Sequence, residues 1–156
     1  MKYTTRVLKD SDFEEASKLM FRTFYRYVLP TYTMQGVEFF RDATSALSLS
    51  MNTYDKKIVL YGCFDQDKLC GVIGRKGKNH ILLFFADERY VGRGVGRQLF
   101  QRFLRTVDIK KPITVNSTDF AVPIYEHYGF VPVGKRRCED GVTYTPMKRM
   151  PIGNGV

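Results

Sequence analysis

The sequence predicts an α/β or α+β fold on a mixed sheet, and three observations predict it. An amphipathic segment at Phe13–Phe24 and a second candidate helix at Val37–Met51 come early. Apolar runs of strand length follow at Ile58–Phe64, Leu69–Arg75 and His80–Ala86, with turn residues between them. Strand and helix patterns then alternate up to a closing pair of strands. Early helices, a meander, then strand–helix–strand–helix–strand–strand gives a mixed sheet with helices packed against it.

In chain order, Tyr3–Leu8 alternates as a short strand. Ser11-Asp12-Phe13-Glu14 has the pattern of a capping box in which Ser11 accepts the Glu14 N–H. Behind it Phe13, Ala16, Leu19, Met20, Thr23 and Phe24 form the inner stripe of a helix that Leu29-Pro30 stops. Asp65-Gln66-Asp67-Lys68 joins the next two strands as a hairpin. The nearly continuous apolar run of His80–Ala86 suits a central strand covered on both faces. Gly94–Val107 is a helix with Val95, Leu99, Phe103 and Leu104 inward. Ile113–Val115 is a strand, and Phe120–Tyr128 is a short helix with Gly129 as its C-cap. Val131–Arg137 and Val142–Lys148 are expected as an antiparallel pair.

Composition narrows the class. The chain has 156 residues, 44% hydrophobic and 26% charged, with no linker or repeat, so one domain over 1–156 is expected. The longest apolar stretches are far short of a bilayer span, and Met1–Arg6 leads into charged sequence without a secretory apolar region. Three unpaired-looking cysteines and two histidines do not make a disulfide framework or a zinc cluster, and Cys70 reads as a small core residue. A cytoplasmic protein without a metal is the expectation. The net charge is +9. Lys56–His80 carries six Lys/Arg against two acids and Ile81–Lys111 seven against three, whereas Tyr27–Asp55 has Arg41 alone facing Glu38, Asp42 and Asp55. Such a charge suits nucleic acid, an anionic surface or a phosphorylated small molecule, or is simply a solvated face.

The most informative segment runs from Phe84 to Leu99, where a buried strand ends, a charged loop turns, and Gly92, Gly94 and Gly96 open a helix. Free N–H groups at a helix start form an anion site, and Arg93 and Arg97 add positive charge. A P-loop would need Gly-Lys-Ser/Thr, which Arg97-Gln98 does not supply. A dinucleotide fingerprint needs a third glycine where Arg97 or Leu99 stands.

Val91–Gly96 resembles the pyrophosphate loop of the GNAT superfamily of acetyl-CoA-dependent N-acyltransferases, R/Q-x-x-G-x-G/A. Gly94 and Gly96 take its small positions, and Val91 stands where Arg or Gln is usual. Thr114–Phe130 resembles the late motif of the same superfamily, with Ala121, Tyr125, Gly129 and Phe130 on its positions. The order of elements agrees from Tyr3 to Met147. The resemblance implies a mixed, mostly antiparallel sheet with helices on both faces, splayed between its fourth and fifth strands with the cofactor arm in the wedge. It also implies N-acetyl transfer from acetyl-CoA, as acyl-donor cosubstrate, to a primary amine by direct attack in a ternary complex.

On that reading the backbone N–H groups from Gly92 through Gly96, with Arg93, Gly94 and Val95 between them, hold the pyrophosphate, and Val91 and Arg97 belong to the same cofactor-binding set. Phe84, Phe85 and Ala86 present main-chain groups to the pantetheine arm and thioester oxygen, with the two phenylalanines drying the site. Tyr125 is the general-acid candidate for the departing thiolate, by its motif position, and Tyr128 packs. Asn116 either bonds the pantetheine amides or caps the following helix. The general base is open. His80 has a suitable ordinary pKa but starts a strand, while Glu38 and Asp42 recruit a cationic amine, relay its proton through water, or form a solvated helix face.

The acceptor pocket is expected from the Tyr25–Gln35 junction, the second helix and the last hairpin, with Tyr25, Tyr27, Tyr32 and Tyr54 at its mouth. The partner is a small-molecule or peptide amine, without membrane or nucleic acid, acting on a monomer or homodimer. Two rival readings are a basic nucleic-acid-binding protein, drawn from the positive charge, and a catalytically inactive acetyl-CoA-binding protein of the same fold.

Overall fold

A computed structural model describes residues 2–151, so Met1 and the five residues after Pro151 lie outside it. Its elements are β1 (Tyr3–Val7), α1 (Phe13–Tyr27), α2 (Met34–Ala43), α3 (Ala46–Tyr54), β2 (Ile58–Asp65), β3 (Lys68–Lys76), β4 (His80–Ala86), α4 (Val95–Leu104), β5 (Ile113–Ser117), α5 (Val122–His127), β6 (Val131–Pro132), β7 (Arg137–Glu139) and β8 (Val142–Arg149). The strands form a mixed sheet in the order β1-β2-β3-β4-β5-β8-β6, with β7 also paired to β8. Every adjacent pair is antiparallel except β4–β5.

Helices cover both faces. Phe13, Ala16 and Met20 of α1 and Leu49 of α3 pack with Leu60, Phe64 and Val72 on one face. Val95, Leu99, Phe100 and Phe103 of α4 and Tyr125 of α5 pack with Cys63, Ile73, Ile81 and Val115 on the other. Burying a large apolar side chain contributes about 1.5–3 kcal/mol, so these two layers hold the sheet's covered faces. Among the described residues no helix is long and apolar enough to cross a membrane.

Two features of β4 position the site. Its parallel pairing to β5 is confined to His80↔Thr114 and Ile81↔Val115, after which the strands diverge. On its other edge, Arg75 pairs with Ile81 while Gly74 pairs with Leu83, so Leu82 is an extra, bulged residue. A bulge bends its strand and increases local twist, which carries the end of β4 away from β5. The splay expected between the fourth and fifth strands is this divergence.

Several local expectations are corrected. Ser11 does not cap α1. Asp12 instead accepts the Lys9 N–H at 2.8 Å and binds Arg6 through both oxygens at 2.8 and 3.1 Å, since a carboxylate beside a guanidinium is the stronger acceptor. The helix expected over Val37–Met51 is two helices. The Thr44 hydroxyl bonds back to the Phe40 carbonyl at 2.8 Å, and Ser45 opens α3 by accepting the Ser48 N–H at 3.1 Å. β4 is not covered on both faces, because Leu82 is 41% exposed and Leu83–Ala86 are half-buried around a cavity. The last helix of the glycine segment ends at Leu104, three residues early. The closing pair is β7 and β8, joined by Asp140-Gly141, while Val131–Pro132 pairs separately with β8.

Candidate functional site

The gap between β4 and β5 is the centre of the site. From Leu83 to Ala86, β4 keeps its partners on β3 but has none on β5, which leaves its facing backbone groups open to a ligand. A cavity of about 770 Å³ spreads from this gap along β4. Phe84 and Phe85 flank the strand end on opposite faces. Phe84 packs beside Tyr125 and Tyr128, with ring centres 6.2 and 6.1 Å away, and Phe85 meets Phe40 of α2 edge-on at 5.8 Å.

The glycine loop lies against the gap, with Val91 and Gly96 on the cavity wall. Gly92 and Gly94 have φ of 77° and 85°, and a Cβ on either would meet nothing within 4 Å. Glycine is therefore required by backbone conformation there, and the space left free admits a ligand close to the main chain. Gly94 caps α4, and Gln98 is the first residue whose N–H finds a helical carbonyl, that of Gly94 at 3.0 Å. The N–H groups of Val95, Gly96 and Arg97 precede it and point from the helix start. The Val91 and Arg93 N–H groups are spent, donating to the Glu88 carbonyl at 3.3 Å and the Tyr90 carbonyl at 3.1 Å, so both drop out of the expected set of donors. The Arg93 guanidinium lies over the Tyr90 ring at 5.6 Å, whereas Arg97 is exposed near Tyr128. Gly96 is small for packing: a Cβ would stand 3.4 Å from the Tyr128 hydroxyl and 3.7 Å from the Phe84 ring.

Asp87, which sequence reasoning treated only as a loop residue, fixes this loop. Its carboxylate has no exposure and takes Arg89 at 2.6 Å, Arg22 at 3.2 Å and the Arg89 N–H at 3.0 Å. The Arg89 hydrogen bonds outweigh burial and hold its pKa down at about 2. Next to it Glu88 pairs with Arg26 at 3.0 Å and accepts from the Tyr27 hydroxyl at 3.4 Å. Helix α1 is thus tied to the start of the glycine loop. The local signal was an Asp accepting from the N–H two residues on.

Tyr125 lies on the buried face of α5 and reaches the cavity wall. Burial, with a smaller contribution from Tyr128, pushes its pKa above the ordinary phenol value, so the hydroxyl stays protonated. It forms no hydrogen bond among the described residues. Tyr128 is half-buried and packs on Phe100 at 4.5 Å. Asn116 stands exposed on the cavity wall just past the last β4–β5 pair. Among the described residues no side chain caps α5: its N-cap is Ala121, whose own N–H donates to the Thr118 Oγ1 at 3.2 Å, so Asn116 is not a helix cap and faces the cavity.

The candidate base and acceptor contacts are placed differently from each other. His80 lines the cavity, half-buried, its Nδ1 sharing a 2.8 Å hydrogen bond with the Thr114 hydroxyl. Burial first, then Lys76, lowers its pKa and favours the neutral ring. Its β3 partner is Lys76 and that of Phe84 is Ile73, an interval of three residues. At roughly 3.4 Å per residue His80 stands about 10 Å from Phe84, at the far end of the cavity. Glu38 and Asp42 are exposed and do not line the cavity, because α2 turns Phe39 and Phe40 toward it instead. The carboxylates on its wall are Glu88, Glu139 and Asp140. Tyr27 and Tyr32 line it together with Tyr144, while Tyr25 and Tyr54 are exposed elsewhere. Burial, with nearby Asp119, pushes the Tyr32 hydroxyl up to about 12.

Sequence reasoning named the last hairpin but not what seats it. Asp140-Gly141 is a two-residue turn with φ of 54° and 79°. The Gly141 carbonyl accepts the Thr33 N–H at 3.2 Å, and the Thr143 hydroxyl donates to the Thr31 carbonyl at 2.9 Å. The turn thereby sits on the start of α2 and carries Glu139 and Asp140 to the cavity wall.

Comparison with known proteins agrees with this architecture. Residues 28–150 match the family model described as Acetyltransferase (GNAT) domain. No curated protein sequence matches the chain. Among solved structures, a GCN5-related N-acetyltransferase from Rhodopseudomonas palustris superposes with a TM-score of 0.81 at 18% identity, covering 96% of each chain. The PaiA N-acetyltransferase of Thermoplasma acidophilum, solved in complex with coenzyme A, superposes with a TM-score of 0.76 at 18% identity, covering 96% of this chain and 99% of that one. A spermidine N-acetyltransferase chimera from Vibrio cholerae and a human enzyme gives 0.66 at 17% identity, covering 97% and 96%.

Proposed function

The chain belongs to the GNAT acetyltransferase family, and from that premise we propose that it transfers the acetyl group of acetyl-CoA to a primary amine by direct attack in a ternary complex. The observation that carries the reading is the gap itself. An unpaired strand edge, a left-handed glycine turn with open space above it, and a protonated tyrosine converge there.

These residues fit acetyl-CoA. The N–H groups of Gly94, Val95, Gly96 and Arg97 would hold its pyrophosphate at the start of α4, where the helix dipole favours negative charge. The open edge of β4 from Leu83 to Ala86, with Asn116 opposite, would take the pantetheine amides. Acetyl-CoA supplies an activated thioester and a thiolate leaving group when bound. A backbone N–H on this edge would donate to the thioester oxygen as it gains charge. Tyr125 would donate its phenolic proton to the departing sulfur, a role its raised pKa keeps available at neutral pH. Phe84 and Phe85 exclude water from the reacting end.

His80 is too far along the strand for direct proton transfer at this position. The acceptor therefore enters the gap as the neutral amine, which an apolar wall favours over the ammonium form, and the proton its nitrogen sheds on forming the amide replaces the one Tyr125 gives to sulfur.

A coenzyme A titration followed by a thiol-release assay over a panel of amines tests the proposal. It expects coenzyme A binding, amine-dependent thiol release and an acetylated amine in the product mixture. Binding with no release in the presence of any amine would leave only the inactive acetyl-CoA-binding reading.

A further inference from the structure

The end of the cavity remote from the gap is lined by Asn52, Lys57, Lys76 and His80. All four come together because Ile58 at the start of β2 pairs with Lys76 at the end of β3, which pairs with His80 at the start of β4. The C-terminal turn of α3 closes over this corner, with the Lys57 N–H donating to the Asn52 carbonyl at 3.0 Å. Neither Lys57 nor Lys76 forms an ion pair among the described residues, and the acid nearest in sequence, Asp55, is exposed and does not line the cavity. Between His80 and Phe84 the strand presents Leu82 and Leu83, and Phe40, Leu49 and Ile58 also line the cavity, with Thr44 a polar residue among them.

We propose that the acceptor is a primary amine that carries an anionic group about 10 Å from its nitrogen, across an apolar chain. The inference rests on the reacting nitrogen standing beside Phe84, as the proposed function has it. The spacing follows from the register. Phe84 and His80 are separated by three β3 residues, and an acceptor lying along β4 spans that interval. Lys57 and Lys76 bind the anion as two charge-assisted donors, and Asn52 with the neutral imidazole of His80 adds uncharged ones.

Three other amine classes fit less well. An α-amino acid has its nitrogen and carboxylate on one carbon and cannot reach both ends. A polyamine would place a second ammonium against two lysines. A plain alkylamine would satisfy the apolar wall and leave the lysines without a partner. Of the carboxylates on the wall, Glu139 and Asp140 are carried by the hairpin seated on the start of α2 and Glu88 pairs with Arg26, and among the described residues none forms an ion pair with Lys57 or Lys76.

The test compares 8-aminooctanoate, whose extended chain puts nitrogen and carboxyl about 10 Å apart, with octylamine and with 4-aminobutanoate. Each is titrated calorimetrically into the coenzyme A-loaded protein, wild type and a Lys57→Ala/Lys76→Ala variant whose fold is checked by circular dichroism. The expected result is at least tenfold tighter binding of 8-aminooctanoate than of either other probe, with the advantage lost in the variant and octylamine affinity unchanged. Equal binding of 8-aminooctanoate and octylamine to wild type, or an advantage that survives in the variant, would overturn the proposal. Acetyl transfer is measured separately with the same probes. Lysine-dependent binding without acetylated product would remove the transfer reading and keep the anion corner, whereas acetylation of octylamine as efficiently as 8-aminooctanoate would do the reverse.

Discussion

Gly36 and Gly141 touch backbone to backbone: a Cβ on Gly36 would lie 2.1 Å from the Gly141 carbonyl oxygen, and one on Gly141 would lie 2.5 Å from the Gly36 nitrogen. No side chain fits at either position. This contact seats the β7–β8 turn on α2, and so decides where Glu139, Asp140 and Tyr144 meet the cavity.

Gly141→Ala is therefore expected to push the hairpin off α2. The substitution adds a clash with the Thr33 hydroxyl, 2.0 Å from the added carbon, to the strain of φ 79°. A loss of about 1–3 kcal/mol in urea unfolding is the expected outcome. KM for the amine should rise while coenzyme A affinity stays unchanged, because the hairpin and the glycine loop border different parts of the cavity. Unchanged KM and stability would show that the turn can shift without cost to the site.

Gly94→Glu is expected to abolish most coenzyme A binding in a protein that still folds. It forces a side chain into a left-handed residue at about 1–2 kcal/mol and puts a negative charge at the helix start. Isothermal titration with coenzyme A measures it. Equal affinity would move the phosphate site away from α4.

Asp87→Asn is expected to destabilise the protein by about 1.5–3 kcal/mol at neutral pH, by weakening its bonds to Arg89 and Arg22. The folded-state pKa, about 2, lies below the ordinary carboxylate value near 4, so the contribution is full above about pH 4 and is lost as pH falls toward 2. The stability gap between variant and wild type should narrow over that window in denaturant titrations. A gap constant from pH 7 to pH 2 would mean the carboxylate charge is not what anchors the loop.

His80→Gln is expected to leave the shape of the pH–rate profile unchanged, with the rate rising toward the pKa of the chosen amine. Loss of the profile's acidic limb in this variant would restore the imidazole as the base.

What the sequence disclosed, and what it hid, follows from the range of the interactions. The glycine loop and the strand feeding it were legible because Gly92, Gly94 and Gly96 act through their own backbone and their immediate helix. The Ser11 cap and the single helix over Val37–Met51 failed because partners settle them: Arg6 binds Asp12, and Ser45 competes successfully for the helix start. From the sequence, Glu38 and Asp42 read as possible acceptor contacts because charge is legible there only segment by segment. That Glu139 and Asp140 reach the cavity depends instead on the Gly36–Gly141 contact, between residues far apart in the chain. Asp140-Gly141 was a readable turn signal, but its docking partner was not. The distance from His80 to Phe84 likewise required the pairing register and the extra residue at Leu82.

The central claim is that acetyl transfer occurs in the gap between β4 and β5, beside Phe84, with Tyr125 serving the leaving sulfur. Single-turnover acetyl transfer by Tyr125→Phe, with coenzyme A affinity measured on the same protein, tests it most directly. Removing the hydroxyl leaves the ring's contacts with Phe84 and Phe130 in place, so affinity should hold while the chemical rate falls by roughly tenfold to ten-thousandfold. An unchanged single-turnover rate at unchanged affinity would contradict the claim and leave Tyr125 as a packing residue.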